Sequence, residues 1–161
     1  MTSTTTHPET RIDVDTEVPL VRIVREFDAP AAQVYQAHVD PEQFLQWVGP
    51  DSRSAIAHVW DARTGGSYRY TLSGGVDEQG FNGVFHELRD SALIVQTFSW
   101  EGMPDGVALE KLVFEDLPGG RSRLTSTSLV DSFEDRDAFV AAGMEVGVVE
   151  GYNKLDDLLA S

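Results

Sequence analysis

The sequence predicts an α+β domain, a seven-stranded antiparallel sheet with helices gathered on one face. Three observations carry that prediction. Seven stretches rich in β-branched and aromatic residues are separated by turn-forming Gly, Pro and Asp. The run FDAPAAQVYQAHVDPEQFLQWVGP, Phe27 to Pro50, packs two helix starts and two stops behind the first strand. From Ser132 to Ser161 the apolar spacing lengthens to that of a helix.

Taken in order, PLVRIVREF (Pro19 to Phe27) reads as the first strand. Pro30 then suits a first helical position, where its missing N–H is not needed. Ala31, Val34, Tyr35 and His38 follow at i, i+3, i+4 and i+7, one apolar stripe. Asp40 is placed to cap a second helix, with Pro41 at N1 and Gln43 at N3 completing a capping-box pattern. Phe44 and Trp47 lie three apart on it, and Gly49-Pro50 ends it. Helices this short are unstable alone and must rest on an apolar partner.

Six strand-like segments supply that partner: SAIAHVWDA, SYRYTL, FNGVFHEL, ALIVQTFSW, ALEKLVFEDL and SRLTSTSLV. Their connections are too short for parallel crossovers, so the sheet is expected to be an antiparallel meander. Ser132 opens a cap-like SFED. Val140, Met144, Val148, Tyr152, Leu155, Leu158 and Leu159 then predict one long helix with a single apolar face. Strands and helices segregated in this way place the helices on one face of the sheet. A sheet bent around a long helix leaves a gap between the two, and function is sought there.

A chain of 161 residues is expected to form one domain, burying roughly 70% of its unfolded surface. Residues 1–17, polar and Thr-rich, read as a disordered tail, and 18–161 as the folded domain. The absence of cysteine excludes disulfides and thiolate chemistry. No apolar run approaches the roughly 18 residues of a membrane span. The N-terminus also lacks the basic and apolar segments of a secretory signal, so the expected location is the cytoplasm. Lys and Arg total 12 against 27 Asp and Glu, a formal charge of −15. Such a field repels phosphate backbones and anionic lipid, which argues against nucleic acid or a membrane as partner. Charge of this size also simply favours solubility.

Gly143, Gly147 and Gly151 recur at i, i+4 and i+8, each costing roughly 0.5–1 kcal/mol against Ala in a helix. They serve either close packing of the helix or room for a ligand beside it. Tyr68 and Tyr70 share a strand face, as do Phe98 and Trp100. Trp47 arrives from the second short helix and Tyr152 from the long one. These aromatics, with Met144 and Val148, form either a conventional core or the wall of a pocket for a small hydrophobic molecule. Among the polar strand residues His58, Asp61, Arg69, His86, Glu87 and Glu110, the acid–base candidates are His58, His86 and Glu110. Strand alternation sends about half of such residues to solvent. The histidines at 7, 38, 58 and 86 lack ligand spacing. Dinucleotide, P-loop and nucleophile-elbow motifs are missing. No metal or cofactor is therefore expected.

The blocks DAPAAQVYQAHVDPEQFLQWVGP, DARTGGSYRY, GFNGVFHEL, TFSW and GMEVGVVEGYNKLDDLLA resemble the Activator of Hsp90 ATPase homologue family. The resemblance spans about Pro19 to Ala160 and is to the C-terminal domain of the eukaryotic activators. It extends to the calicheamicin-resistance-like group of the START-like (SRPBCC) superfamily. It implies a helix-grip fold, in which a curved seven-stranded sheet grips the C-terminal helix around a cavity with Trp47 at its mouth. The leading functional reading is non-enzymatic binding of a small hydrophobic or aromatic molecule. The alternatives are a polyketide cyclase or aromatase-type enzyme using the same cavity and a chaperone-partner-like interaction module. Val146 and Val149 lie off the apolar stripe and suit a homodimer seam as well as an exposed patch.

Overall fold

The computed structural model describes residues 6–75 and 77–161. The elements are β1 (Thr10–Val14), β2 (Leu20–Phe27), α1 (Ala31–Val39), α2 (Pro41–Trp47), β3 (Ser54–Trp60) and β4 (Ser67–Ser73). They continue with β5 (Gln79–Arg89), β6 (Leu93–Trp100), β7 (Val107–Leu117), β8 (Arg121–Leu129), α3 (Phe133–Ala141) and α4 (Met144–Ala160). One antiparallel sheet holds all the strands in the order β1-β2-β8-β7-β6-β5-β4-β3.

The sheet has eight strands where seven were expected. The extra one, β1, lies inside the stretch read as a disordered tail, and residues 10–14 correct that reading; residues 1–5 lie outside those described. Its TRIDV sequence pairs with β2 through Thr10↔Arg25, Ile12↔Ile23 and Val14↔Val21. Ile12 is its one residue packed on the core. A five-residue strand with a single inward apolar side chain leaves little periodic signal beside a Thr-rich run.

Burial alternates strictly along β2 and β8. The inner face carries Val21, Ile23 and Phe27 from β2 and Leu124 from β8. Leu112 and Phe114 of β7, Ile94 of β6 and Phe85 of β5 join them. Helices α1, α2 and α4 close this face. The sheet must be rolled around them: β1 and β3 are opposite edges, which a flat eight-stranded sheet would hold roughly 34 Å apart. Yet α4 approaches β1, α2 approaches β3, and α2 packs against α4, a helix pair needing only about 10 Å between axes.

The predicted stripe of α1, namely Ala31, Val34, Tyr35 and His38, is buried. Pro30 sits one place before the helix, whose first N–H, from Ala31, donates to Asp116 Oδ1 across the chain at 2.9 Å. Its last turn is held by two indoles: Trp47 Nε1 donates to Ala37 O at 2.9 Å and Trp60 Nε1 to Val39 O at 2.8 Å. They satisfy carbonyls that a helix end otherwise leaves open. Asp40 caps α2, its Oδ1 accepting from the Glu42 N–H; Gln43 Nε2 donates to Oδ2 while the Asp40 N–H donates to Gln36 O, so the reciprocal capping box suggested by the sequence is not formed.

The C-terminal region is two helices rather than one. Ser132 caps α3 as its sequence indicates, accepting from the Asp135 N–H at 3.0 Å. Gly143 then breaks the run with a left-handed φ of 90°, a conformation open to glycine at little cost. Of the other two glycines, Gly151 favours the close-packing reading: a Cβ there would lie 3.2 Å from Trp47 O, tight against the end of α2. One on Gly147 would lie 3.6 Å from Pro50 Cδ, an ordinary contact.

Candidate functional site

Two kinds of side chain line the inner face beneath α4. Toward β4 and β5 they are aromatic. Phe44 packs against Tyr70 at 5.1 Å between ring centroids, Tyr70 stacks on Phe81 at 5.3 Å, and Phe81 on Phe98 at 5.3 Å. Tyr68 stacks beside Tyr70, and Trp47 joins the row through Phe44. Trp47 also meets Tyr152 of α4, which packs edge-on to Phe27. Phe44, Trp60, Phe81, Phe98, Met144 and Val148 keep part of their surface accessible although they face inward. The backbone of α4 makes its main approaches to α1, α2, α3 and β1 rather than to β5, β6 or β7. The aromatic row therefore borders the space between α4 and strands β5 to β7, a candidate groove.

The floor of the groove is polar. Gln96, Glu110 and Ser128 are direct cross-strand partners on β6, β7 and β8. Directly opposed residues sit close enough for side chains to bond. Gln96 Nε2 donates to Glu110 Oε1 at 3.0 Å, and Ser128 Oγ donates to Oε2 at 2.6 Å. Glu110 is half-buried, and burial raises its pKa, although both hydrogen bonds act to lower it. Glu110 is thus an inward-facing, desolvated carboxylate in a residue that is not wholly enclosed.

Around it stand phenols. Burial first, and the Glu110 charge second, raise the pKa of Tyr68, Tyr70 and Tyr152, so all three stay neutral. The Tyr68 hydroxyl donates to Thr97 O at 2.6 Å. It reaches that carbonyl only because position 83 is glycine: a Cβ there would lie 2.0 Å from Thr97 O and 2.6 Å from the phenol oxygen. The Tyr70 and Tyr152 hydroxyls have no protein partner among the described residues, yet neither is a sealed unsatisfied group. They are open to the groove.

The sequence-derived candidates separate clearly. Trp47, Tyr68, Tyr70 and Phe98 come together in one aromatic cluster, with Met144, Val148 and Tyr152 facing the sheet from α4. Trp100 stands apart at the end of β6, exposed, its indole N–H donating to Gln79 Oε1 at 2.7 Å. Of the acid–base candidates only Glu110 faces the groove. His58 sits in a β3 bulge with Nε2 2.9 Å from Thr71 Oγ1, and His86 is exposed on β5. Residues that sequence reasoning passed over are Phe44, Phe81, Gln96, Ser128 and Arg25. Strand alternation places Arg25 in line with Val21, Ile23 and Phe27, a charge at an inward position, and that was its available signal.

Arg25 is fully buried at the β1 side. Its Nη1 donates to Thr10 Oγ1 at 2.9 Å and to Asn153 Oδ1 at 3.0 Å, and Asp156 lies 3.9 Å from Nη2. Two open depressions of about 480 and 350 Å³ lie on the outer face around Arg69 and Glu101, which form a two-pronged ion pair. Among the described residues no cluster of His, Asp and Glu is arranged to hold a metal, and no helix is long and apolar enough to cross a membrane.

An α+β domain with one antiparallel sheet and a groove under its last helix is thus the class in hand. Residues 28–160 match the family model described as Activator of Hsp90 ATPase homolog 1-like protein. The chain belongs to that family, as the sequence blocks indicated. No curated protein matches it in sequence. Solved structures share the fold: a protein from Arthrobacter aurescens, 26% identical, has a TM-score of 0.85 over 93% of this chain and 91% of its own. Protein Ms6760 from Mycobacterium smegmatis, 23% identical, has a TM-score of 0.84 over 93% and 96%. CalU16 from Micromonospora echinospora, 17% identical, has a TM-score of 0.60 over 95% of this chain and 75% of its own.

Proposed function

We propose that this protein binds a small hydrophobic or aromatic molecule in the groove between the sheet and α4, a helix-grip arrangement. The family's fold commonly binds hydrophobic ligands. The observation that carries the reading here is the inward-facing aromatic row whose members Phe44, Phe81 and Phe98 remain partly accessible beneath the helices. Apolar area of this kind contributes about 25 cal/mol per Å² on burial. The walls are Tyr68, Tyr70 and Phe98 from the sheet, Trp47 from α2, and Met144, Val148 and Tyr152 from α4. The cyclase reading asks for two acid–base groups beside the ligand. It is the weaker one, because Glu110 is bonded to Gln96 and Ser128 rather than to a histidine, and His58 and His86 lie elsewhere.

The test uses the neutral fluorophore N-phenyl-1-naphthylamine. Met144→Trp, which fills the groove from α4, is expected to weaken its binding about tenfold or more, by overpacking. Trp100→Ala is expected to leave it unchanged. Equal affinity in wild type and Met144→Trp, or a loss confined to Trp100→Ala, would overturn the placement.

A further inference from the structure

Resting on the binding reading above, we propose that the groove prefers molecules carrying a protonated amine on an aromatic body. The ammonium N–H groups meet the Glu110 carboxylate and the rings lie along Phe81 and Phe98.

The argument starts from what Glu110 lacks. Among the described residues no Lys, Arg or His pairs with it, and its hydrogen-bond partners are Gln96 and Ser128. The titratable groups that face it are phenols, Tyr68 and Tyr70 from β4 and Tyr152 from α4. A carboxylate offers about four lone-pair sites. Gln96 and Ser128 occupy one on each oxygen and fix the plane of the group, leaving the others toward the groove. A charge held this deep without a counter-ion is destabilising. The sheet nevertheless positions it with two dedicated donors.

The surroundings suit a cation in two further ways. Faces of Phe and Tyr rings attract an organic ammonium through their quadrupoles, and Phe81, Phe98 and Tyr70 stack in one row beside the polar floor. The chain's charge of −15 raises the local concentration of cations at an acidic cleft. Arg25, the guanidinium buried on the same face, is held by Thr10, Asn153 and Asp156 toward β1. Its Nη2 is sealed in the protein without a hydrogen-bond partner among the described residues, 3.9 Å from Asp156, so its charge is answered by the chain and is out of a ligand's reach. The open hydroxyls of Tyr70 and Tyr152 supply neutral partners for the rest of the ligand's polar atoms.

The experiment compares three probes of one shape, 1-naphthylmethylamine, 1-naphthalenemethanol and 1-naphthoate, by calorimetric titration of wild type and Glu110→Gln. The isosteric variant keeps an acceptor for Ser128 and removes the charge, so it is expected to fold. In wild type the amine is expected to bind about tenfold tighter than the alcohol, with the acid weakest, as for a charge-assisted bond. In Glu110→Gln the amine's advantage is expected to fall below about twofold while alcohol binding stays within about threefold, since only the charged bond is lost. An amine preference that survives in Glu110→Gln would assign it to the overall charge and overturn the proposal. So would equal binding of all three probes by wild type, which leaves the hydrophobic groove itself standing. Failure of all three to bind removes the groove reading and the amine preference with it.

Discussion

Arg25 and Glu110 stand at equivalent places on the inner face of one sheet, each where alternation along its strand calls for an apolar residue. Their surroundings differ. Arg25 is wholly enclosed and ties β1, β2 and α4 together through Thr10, Asn153 and Asp156. Glu110 is held from below by Gln96 and Ser128, keeps part of its surface accessible, and has phenols rather than a cation for company. The first arrangement is that of a clamp, sealed inside the chain although Nη2 has no hydrogen-bond partner among the described residues. The second is that of an open site, with acceptor capacity left for something the chain does not supply. On the proposed reading, the difference separates the structural end of the inner face from the end that a ligand would use.

The comparison is broken most forcefully at the clamp. Arg25→Ala takes the donor from part-buried Asn153 and Thr10 and the cation from beside Asp156. Urea unfolding is expected to show a loss of about 3 kcal/mol or more, the range for breaking a buried charged network. A loss under about 1 kcal/mol would make Arg25 no better than a surface pair.

A smaller effect is expected at the aromatic wall. Gly83→Ala drives a methyl group into Thr97 O and the Tyr68 hydroxyl and should cost about 1–3 kcal/mol by overpacking. Tyr68→Phe, which removes the hydroxyl, is expected to recover part of that loss when combined with it. Strict additivity of the two changes would mean that the phenol does not depend on the gap.

The mildest change sharpens the comparison from the Glu110 side, and its sign is opposite. Burial raises the native Glu110 pKa above the ordinary 4.5. Between that value and its native pKa the folded state therefore binds more protons than the unfolded one. Stability then falls as pH rises through that window. Glu110→Gln is expected to match wild type at acid pH and to exceed it at neutral pH. His38 contributes the reverse slope: buried against Trp47 and Phe114, its pKa is lowered to about 4. Its contribution is full above the ordinary 6.5 and is lost on acidification toward 4. The difference between wild type and Glu110→Gln, measured across pH, removes the His38 contribution common to both. A variant no more stable than wild type at neutral pH would mean that the carboxylate is already compensated.

Much of the inner aromatic face was legible before the fold was known. Tyr68 and Tyr70 share a face because they are two residues apart on a strand, and Trp47 follows from the helix that Asp40 begins. Trp100 obeys the same alternation but sits at a strand end, where nothing covers it. Phe44 and Phe81 carried the same apolar signal as the chosen aromatics. Only the pairing of β4 with β5, Tyr70 opposite Phe81, joins them into one row. Likewise Gln96 and Ser128 are ordinary polar strand residues until the register sets both against Glu110.

The sequence by itself determined what depends on neighbours along the chain. It settled the two short helices behind β2, the second with its Asp40 cap, the strands β2 to β8 with their turns, the apolar face of the last helix and the family. Local propensity and period act over a few residues, so a few residues suffice to read them. Tertiary structure decided what depends on partners far along the chain. It added β1, which exists through its pairing with β2, and the break at Gly143 between α3 and α4. It also closed the clamp on Arg25 and left Glu110 open in the groove. Those outcomes rest on register and on the rolling of the sheet, and both are set by burial summed over the whole molecule.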